Sequence, residues 1–211
     1  MSFGDVFTPD KVILIAIFLL FAFPVHEFSH AAAAYIQGDA TAKMFGRLTL
    51  NPIVHFDPIG GLLTVVSILF SPFLFGWAKP TPVNPANLRD RRNGEVWVAL
   101  AGPASNLVMA AIGAFVIRVL VAAHAEVPDL VATALTYWVL FNVALAIFNL
   151  IPVPPLDGSA ILFRFLSPRQ AWELRPLIAQ YGLVIVLVGV LAFRQPISDL
   201  IYGISNFLVG A

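Results

Sequence analysis

The sequence predicts an all-α polytopic membrane protein, and three observations support this fold class. First, 59% of the 211 residues are hydrophobic and only 11% are charged, whereas a soluble domain has about 25% charged residues. Second, several apolar stretches approach the roughly 20 residues that a membrane-spanning helix needs. Third, the basic residues are concentrated in a few of the connecting loops. The 12 basic and 12 acidic residues cancel and cysteine is absent, so we expect no nucleic-acid partner and no thiolate ligands or disulfides.

Four apolar stretches are predicted to span the membrane: Val12–Ile36, Val96–Ala123, Leu130–Ile151 and Leu177–Phe193. The C-terminal stretch Ile197–Val209 is shorter and interrupted by polar residues, which predicts a short helix at the membrane interface. The longest polar stretch, Pro80–Glu95, is too short for a separate domain. We therefore expect residues 1–211 to form a single membrane-embedded domain.

The stretch Ile59–Trp77 is predicted to enter and leave the membrane on the same side. Short cytoplasmic loops collect Lys and Arg. A single crossing would place the basic residues before this stretch and those after it on opposite sides of the membrane. A re-entrant segment places nine basic residues on the same side. These nine are Lys43, Arg47, Lys79, Arg89, Arg91, Arg92, Arg164, Arg169 and Arg175. Gly60, Gly61 and Pro72 also favour a broken element. The resulting topology has about four spans and an N-terminus on the outer side.

The first apolar stretch contains the motif His26-Glu27-Phe28-Ser29-His30. Residues four apart share one face of a helix, so both imidazoles can reach one metal ion, with the adjacent glutamate placed to polarise a metal-bound water. The alternative is a set of polar groups that hold helices together. Two histidines and a glutamate in a membrane helix are costly without partners, and we favour the metal site.

A catalytic zinc ion usually has three protein ligands, and the third must come from a small set of candidates: His55, Asp57, His124, Asp129 and Asp157. Asp157 follows a stretch with three prolines in four positions, which is extended and cannot be a regular helix. The predicted topology brings it to the same side of the membrane as the histidines, and we favour it as the ligand. Its alternative role is to cap the helix that follows.

Two further polar residues have more than one interpretation. For His55, an auxiliary zinc ligand or a gate on a water path is possible in principle, but a loop histidine bonded to Asp57 is the favoured interpretation. For Asn106, which follows Gly102-Pro103, helix packing is favoured over catalysis.

These motifs resemble those of the site-2 proteases. Besides the His26–His30 motif, residues Asn149 to Gly158 fit the pattern N-x-x-P-x-P-x-L-D-G of that family. Phe75–Pro80 and Ala101–Asn106 are similar to the compact bacterial and archaeal members. The resemblance implies one zinc ion per chain held by His26, His30 and Asp157, with Glu27 as general base. It also implies that Asn149 lines the site as a hydrogen-bond donor to the substrate or the oxyanion.

The resemblance also implies a small membrane-dipping β element, with short strands in Lys43–Leu50, and it supports the re-entrant Ile59–Trp77. The strand near Phe45–Leu50 is then the candidate to pair with an extended substrate. Many relatives carry a PDZ domain where this chain has only His124–Asp129, and others carry a nucleotide-sensing C-terminal domain that we do not find here.

The predicted function is that of an intramembrane zinc metalloprotease in a prokaryotic cell membrane. Its partners are the lipid bilayer and a transmembrane protein or peptide substrate, whose peptide bonds it hydrolyses. The alternatives are a catalytically inactive membrane scaffold and a metal-handling transporter. The presence of Glu27 disfavours the scaffold, because a scaffold needs no general base. The transporter is disfavoured because the polar residues form only one site and no polar path continues across the membrane.

Overall fold

The computed structural model describes residues 8–70, 79–90 and 93–210. Nine α-helices lie within these ranges, the first of which contains a π-helical turn, Phe18–Ala22. They are α1 (Pro9–Ile36), α2 (Thr41–Met44), α3 (Pro52–His55), α4 (Pro58–Phe70), α5 (Gly94–Ala122), α6 (Asp129–Asn149), α7 (Gly158–Phe165), α8 (Pro168–Ala192) and α9 (Arg194–Val209).

Three of these helices, α1, α5 and α6, are long and apolar enough to cross a membrane. Helix α8 is bent by 73° between Arg169–Ile178 and Gln180–Ala192, and it makes a fourth span if both arms count as one. Pro176 lies inside α8, where its missing N–H weakens the helix. The helical class and the count of about four spans are thus confirmed as three to four candidate spans. The predicted stretch Leu177–Phe193 corresponds to the second arm of α8, and α9 is the predicted short C-terminal helix.

Helix α1 carries the histidine motif and has a distinct turn just before it. The π-helical turn Phe18–Ala22 is followed by Pro24, which has no N–H to donate to the preceding turn. Such local widening of a helix occurs often near functional sites. The helix ends at Ile36 and is closed by Gly38, whose φ of 103° allows the N–H groups of Gly38 and Asp39 to bond the carbonyls of Tyr35 and Ala34.

The predicted strands in Lys43–Leu50 are wrong, since the described residues contain no strand. The chain forms helix α2 and then turns. Asp39 accepts hydrogen bonds from the N–H and hydroxyl of Thr41, which start the helical turn. Gly46 ends it at φ 68°, with Gly46 N bonded to Lys43 O and Arg47 N to Ala42 O. This paired closure is a helix C-terminus, and a strand cannot run through it.

The re-entrant stretch Ile59–Trp77 is described only in part, because residues 71–78 lie outside the described ranges. Helix α4 has 13 residues, or about 20 Å of helix, and covers the stretch as far as Phe70. Asp57 starts this helix by accepting the N–H groups of Ile59 and Gly60. Helix α4 alone is therefore shorter than the hydrocarbon core, which is about 30 Å thick.

Helices α5 and α6 pack closely because small residues line their contact. The buried cluster between them consists of Ala110, Ala114, Val139 and Val143, and α9 packs against it. Helix α1 packs on the other part of α5. Close approach without large side chains is the usual way in which membrane helices associate. This arrangement places the motif of α1 directly against α5.

Candidate metal centre

The structure brings His26, His30 and Asp157 together. The Nε2 atoms of the two histidines lie 3.0 Å apart, and Oδ2 of Asp157 lies 3.1 Å from Nε2 of His26 and 3.3 Å from Nε2 of His30. Both histidines are buried. Among the described residues, these three form the one group of three or more potential ligands that could hold a metal ion.

Asp157 reaches the histidines from the turn between α6 and α7. This turn folds back on itself so tightly that a Cβ at Gly158 would lie 2.5 Å from the carbonyl carbon of Leu150 and 2.6 Å from the carbonyl oxygen of Ile151. Only glycine fits there without displacing backbone. Asp157 occupies the N-cap position of α7, but its side chain makes no capping hydrogen bond. The carboxylate faces the histidines instead, which disfavours the capping role.

The hydrogen bonds of the imidazoles fix which ring nitrogens are protonated. Nδ1 of His30 lies 2.7 Å from the carbonyl oxygen of Val98, which can only accept, so this nitrogen carries the proton. Nδ1 of His26 lies 2.6 Å from Oδ1 of Asn106. The amide group of Asn106 is oriented by its Nδ2, which donates to the carbonyl of Ala22. Oδ1 therefore accepts, and Nδ1 of His26 carries the proton as well.

In neutral imidazoles with the proton on Nδ1, both Nε2 atoms point a lone pair toward Asp157 Oδ2. Three electron-pair donors about 3 Å apart repel one another unless a cation lies among them. Tetrahedral nitrogen and oxygen ligands of zinc at about 2.0–2.1 Å from the ion are about 3.3 Å apart, close to the separations given above. The polar contacts at Nδ1 are those that orient metal-binding histidines. The residues present fit a zinc ion.

Helix α5 leaves room for the imidazoles at Gly102. A Cβ at this position would lie 2.5 Å from Cε1 of His30 and 2.7 Å from Cε1 of His26. Val98 and Asn106, which bond the two histidines, lie one turn before and one turn after Gly102 on the same helix. This face of α5 thus forms one wall of the site.

Glu27 lies beside the cluster but outside the three-ligand group. It is 8% exposed. Its Oε2 accepts two hydrogen bonds from Thr81, one from the N–H at 3.0 Å and one from the hydroxyl at 2.7 Å. The carboxylate is therefore held in place by a segment that is distant in sequence.

Other sequence candidates lie elsewhere. Asn149 ends α6, and its amide Nδ2 donates to the carbonyl of Leu145 in the same helix at 3.0 Å. His55 is buried, and its Nε2 bonds the carbonyl of Thr49 at 2.8 Å, where the sequence favoured a bond to Asp57. Neither these residues nor His124 and Asp129 join the described ligand group.

Sequence reasoning missed the contact of Asn106 with His26, because it assigned Asn106 to helix packing. Asn106 Nδ2 also donates to Oδ1 of Asn142, and Nδ2 of Asn142 donates to the carbonyl of Trp138. Both asparagines are fully buried. Two amide side chains inside apolar helices are costly unless they have partners, and this signal was available in the sequence.

Comparisons with known proteins identify the family of the chain. A sequence model described as peptidase family M50 matches residues 118–191. The chain is 40% identical over 178 residues to the "Putative zinc metalloprotease YwhC" of Bacillus subtilis, covering 82% of this chain and 78% of that protein. It is 32% identical over 198 residues to the "Putative zinc metalloprotease Rip2" of Mycolicibacterium smegmatis, covering 89% of this chain and 73% of that protein.

No solved structure is significantly similar to the chain. Both relatives are named putative zinc metalloproteases. The matches cover most of this chain and more than two thirds of the length of each relative. The chain belongs to peptidase family M50, the site-2 proteases, and is a zinc-dependent peptidase.

Proposed function

We propose that this peptidase hydrolyses peptide bonds within transmembrane segments of other membrane proteins. In this proposal His26, His30 and Asp157 hold one zinc ion and Glu27 is the general base. The observation that carries it is the position of the two histidines, which are buried in α1, a helix long and apolar enough to cross a membrane. A site inside such a helix acts on bonds that lie at membrane depth.

The chemistry then divides among the groups of the site. When bound, zinc supplies a Lewis acid that makes water a stronger nucleophile near neutral pH and stabilises negative charge on the peptide oxygen. Glu27 accepts the proton of the attacking water at its carboxylate and returns it to the leaving amine. Asn149 donates a hydrogen bond to the substrate after its amide leaves the carbonyl of Leu145. The substrate helix must unwind first, because the carbonyls of a helix are already hydrogen-bonded.

The proposal includes the arrangement of the chain in the bilayer. Residues 1–211 form one multi-pass domain, since the site joins α1, α5 and the turn before α7. The stretch Ile59–Trp77 is re-entrant, which is supported by the short α4 and by the basic residues on both sides of it.

The experiment is a paired measurement of zinc content and cleavage with purified protein and a panel of single-span membrane substrates. Glu27→Gln should retain about one zinc ion per chain, since none of the three ligands changes. Its cleavage should fall by about 10²–10⁴-fold, the usual contribution of general acid–base catalysis. Glu126→Gln is the matched control, because Glu126 is an exposed loop residue for which we expect wild-type cleavage.

The ligand set is tested in the same preparation. His26→Ala, His30→Ala and Asp157→Ala should each lose zinc, whereas His124→Ala, at an exposed histidine, should keep it. Full zinc retention by Asp157→Ala would remove Asp157 from the set. Undiminished cleavage by Glu27→Gln, or no cleavage of any membrane substrate by the wild type, would contradict the proposed function.

A further inference from the structure

The carboxylate of Glu27 is held from one side by a single residue. Thr81 N and Thr81 Oγ1 both bond Oε2 of Glu27, at 3.0 Å and 2.7 Å. The same hydroxyl lies 3.1 Å from the backbone carbonyl oxygen of Glu27. We infer that Thr81 is a positioning residue for the general base, which fixes one carboxylate oxygen of Glu27 so that the other serves as the proton acceptor. This inference rests on the proposed role of Glu27.

The local sequence Lys79-Pro80-Thr81-Pro82 explains why Thr81 can do this. Proline has no N–H, so Thr81 carries the only backbone donor in residues 80–82, and this donor is used on Glu27. A residue that precedes proline is restricted to extended conformations, and the structure shows residues 79–84 without helix or strand. Thr81 is therefore presented on a stiff, extended stretch.

This stretch is fastened on both sides of Thr81. Before it, Lys79 N donates to the carbonyl of His55 at 3.1 Å. After it, Asn84 N donates to Oδ2 of the fully buried Asp39 at 2.7 Å. Arg89 N then donates to the carbonyl of Gln37 at 2.8 Å. The backbone at Thr81 is thus tied to the end of α3 and to the loop that follows α1, and α1 is the helix that carries Glu27.

A free glutamate side chain samples several rotamers, and restricting it to one of them costs conformational entropy. Both bonds from Thr81 end on Oε2, so neither occupies Oε1. Hydrogen bonds to a charged oxygen are stronger than those between neutral groups. Small displacements of a reacting group can cost about 10²-fold in rate. Thr81 thus acts on the reaction through Glu27.

The test compares Thr81→Val with Thr81→Ser in the full-length protein. Val keeps the shape and the N–H but removes the hydroxyl, whereas Ser keeps the hydroxyl. One lost hydrogen bond to a charged group predicts a fall in kcat of about 10- to 100-fold for Thr81→Val. KM, zinc content and the melting temperature should stay near wild type, and Thr81→Ser should restore kcat. Thr136→Val is the matched control, since the hydroxyl of this exposed residue bonds only a carbonyl of its own helix.

Wild-type kcat in Thr81→Val would overturn the inference, and so would equal losses in Thr81→Val and Thr81→Ser. A fall in kcat accompanied by lost zinc or a lower melting temperature in Thr81→Val would assign Thr81 a structural role and also overturn it. Glu27→Gln is measured alongside. If that variant is inactive while Thr81→Val is fully active, the inference fails and the proposed function stands. If Glu27→Gln is fully active, the proposed function itself fails.

Discussion

Each imidazole of the metal centre uses its two ring nitrogens for different tasks. Nδ1 of both histidines is bonded to helix α5, through Asn106 and the carbonyl of Val98. Nε2 of both faces Asp157. Partners at Nδ1 fix the tautomer and the ring orientation of metal-binding histidines, and their removal commonly weakens metal affinity by about 10–100-fold. At the residue scale, we therefore expect the affinity for zinc to depend on how closely α5 approaches α1.

Gly102→Ala tests this dependence. The added methyl would overlap the rings of His26 and His30, so one or both imidazoles must move away from Asp157. We expect zinc affinity to fall by at least about tenfold, by analogy with disrupted partners of metal ligands, and cleavage to fall with it. Chelator competition measures the affinity. Gly189→Ala is the matched control, since a Cβ at that helical position meets nothing within 4 Å; unchanged affinity in Gly102→Ala would contradict the proposed packing.

At the scale of elements, the segment 79–90 contributes to the site although it contains no α-helix, and its Leu88 packs with Ala34 of α1 and Val98 of α5. Asp39 anchors this segment. The buried carboxylate accepts hydrogen bonds from Thr41, from Asn84 N and from the side chain of Asn87. Burial by itself raises the pKa of Asp39, but these hydrogen bonds outweigh it and hold the pKa below its usual range.

The stability that Asp39 contributes should depend on pH. Because the folded-state pKa lies below the unfolded value of about 3.9, the contribution is complete above that value. It is lost as the pH falls through the folded-state pKa. Asp39→Asn should therefore melt a few degrees below wild type at pH 7, and the difference should shrink below about pH 4. Thermal unfolding in detergent measures this, with the exposed Asp199→Asn as control. A difference that is the same at both pH values would contradict the assignment.

At the scale of the whole molecule, a re-entrant Ile59–Trp77 requires that the basic loops before and after it lie on the same side of the membrane. Arg47 is buried and bonds the carbonyl of Val54, so it is unsuited to labelling. Lys43 and Arg89 are exposed and lie before and after the stretch, and Glu126 is exposed in the loop between α5 and α6.

Cysteine labelling decides the topology cleanly, because the chain has no native cysteine. Cysteines that replace Lys43 and Arg89 should react with an impermeant reagent from the same side, and one that replaces Glu126 should react from the other. Labelling of positions 43 and 89 from opposite sides would show that the stretch crosses once, and the number of spans would have to be revised.

Much of this protein follows from its sequence alone. The helical class and the candidate spans follow because hydropathy is a local property and a bilayer demands long apolar helices. The grouping of His26 and His30 follows from helical periodicity, and Asp157 could be singled out because few other polar groups were available. The role of these residues as ligands stays a prediction until zinc content is measured in their variants.

Only the tertiary structure decided the rest. Thr81 and Glu27 are 54 residues apart, and Asn106 and His26 are 80 apart. No local pattern records such pairs, because they depend on how helices and loops pack. The strands in Lys43–Leu50 were expected by resemblance, yet the local bonds of Asp39 and Gly46 close a helical turn there. Gly102 is a further example. The sequence shows only a glycine before Pro103 in an apolar helix, whereas the structure shows that a side chain at Gly102 would overlap two imidazoles.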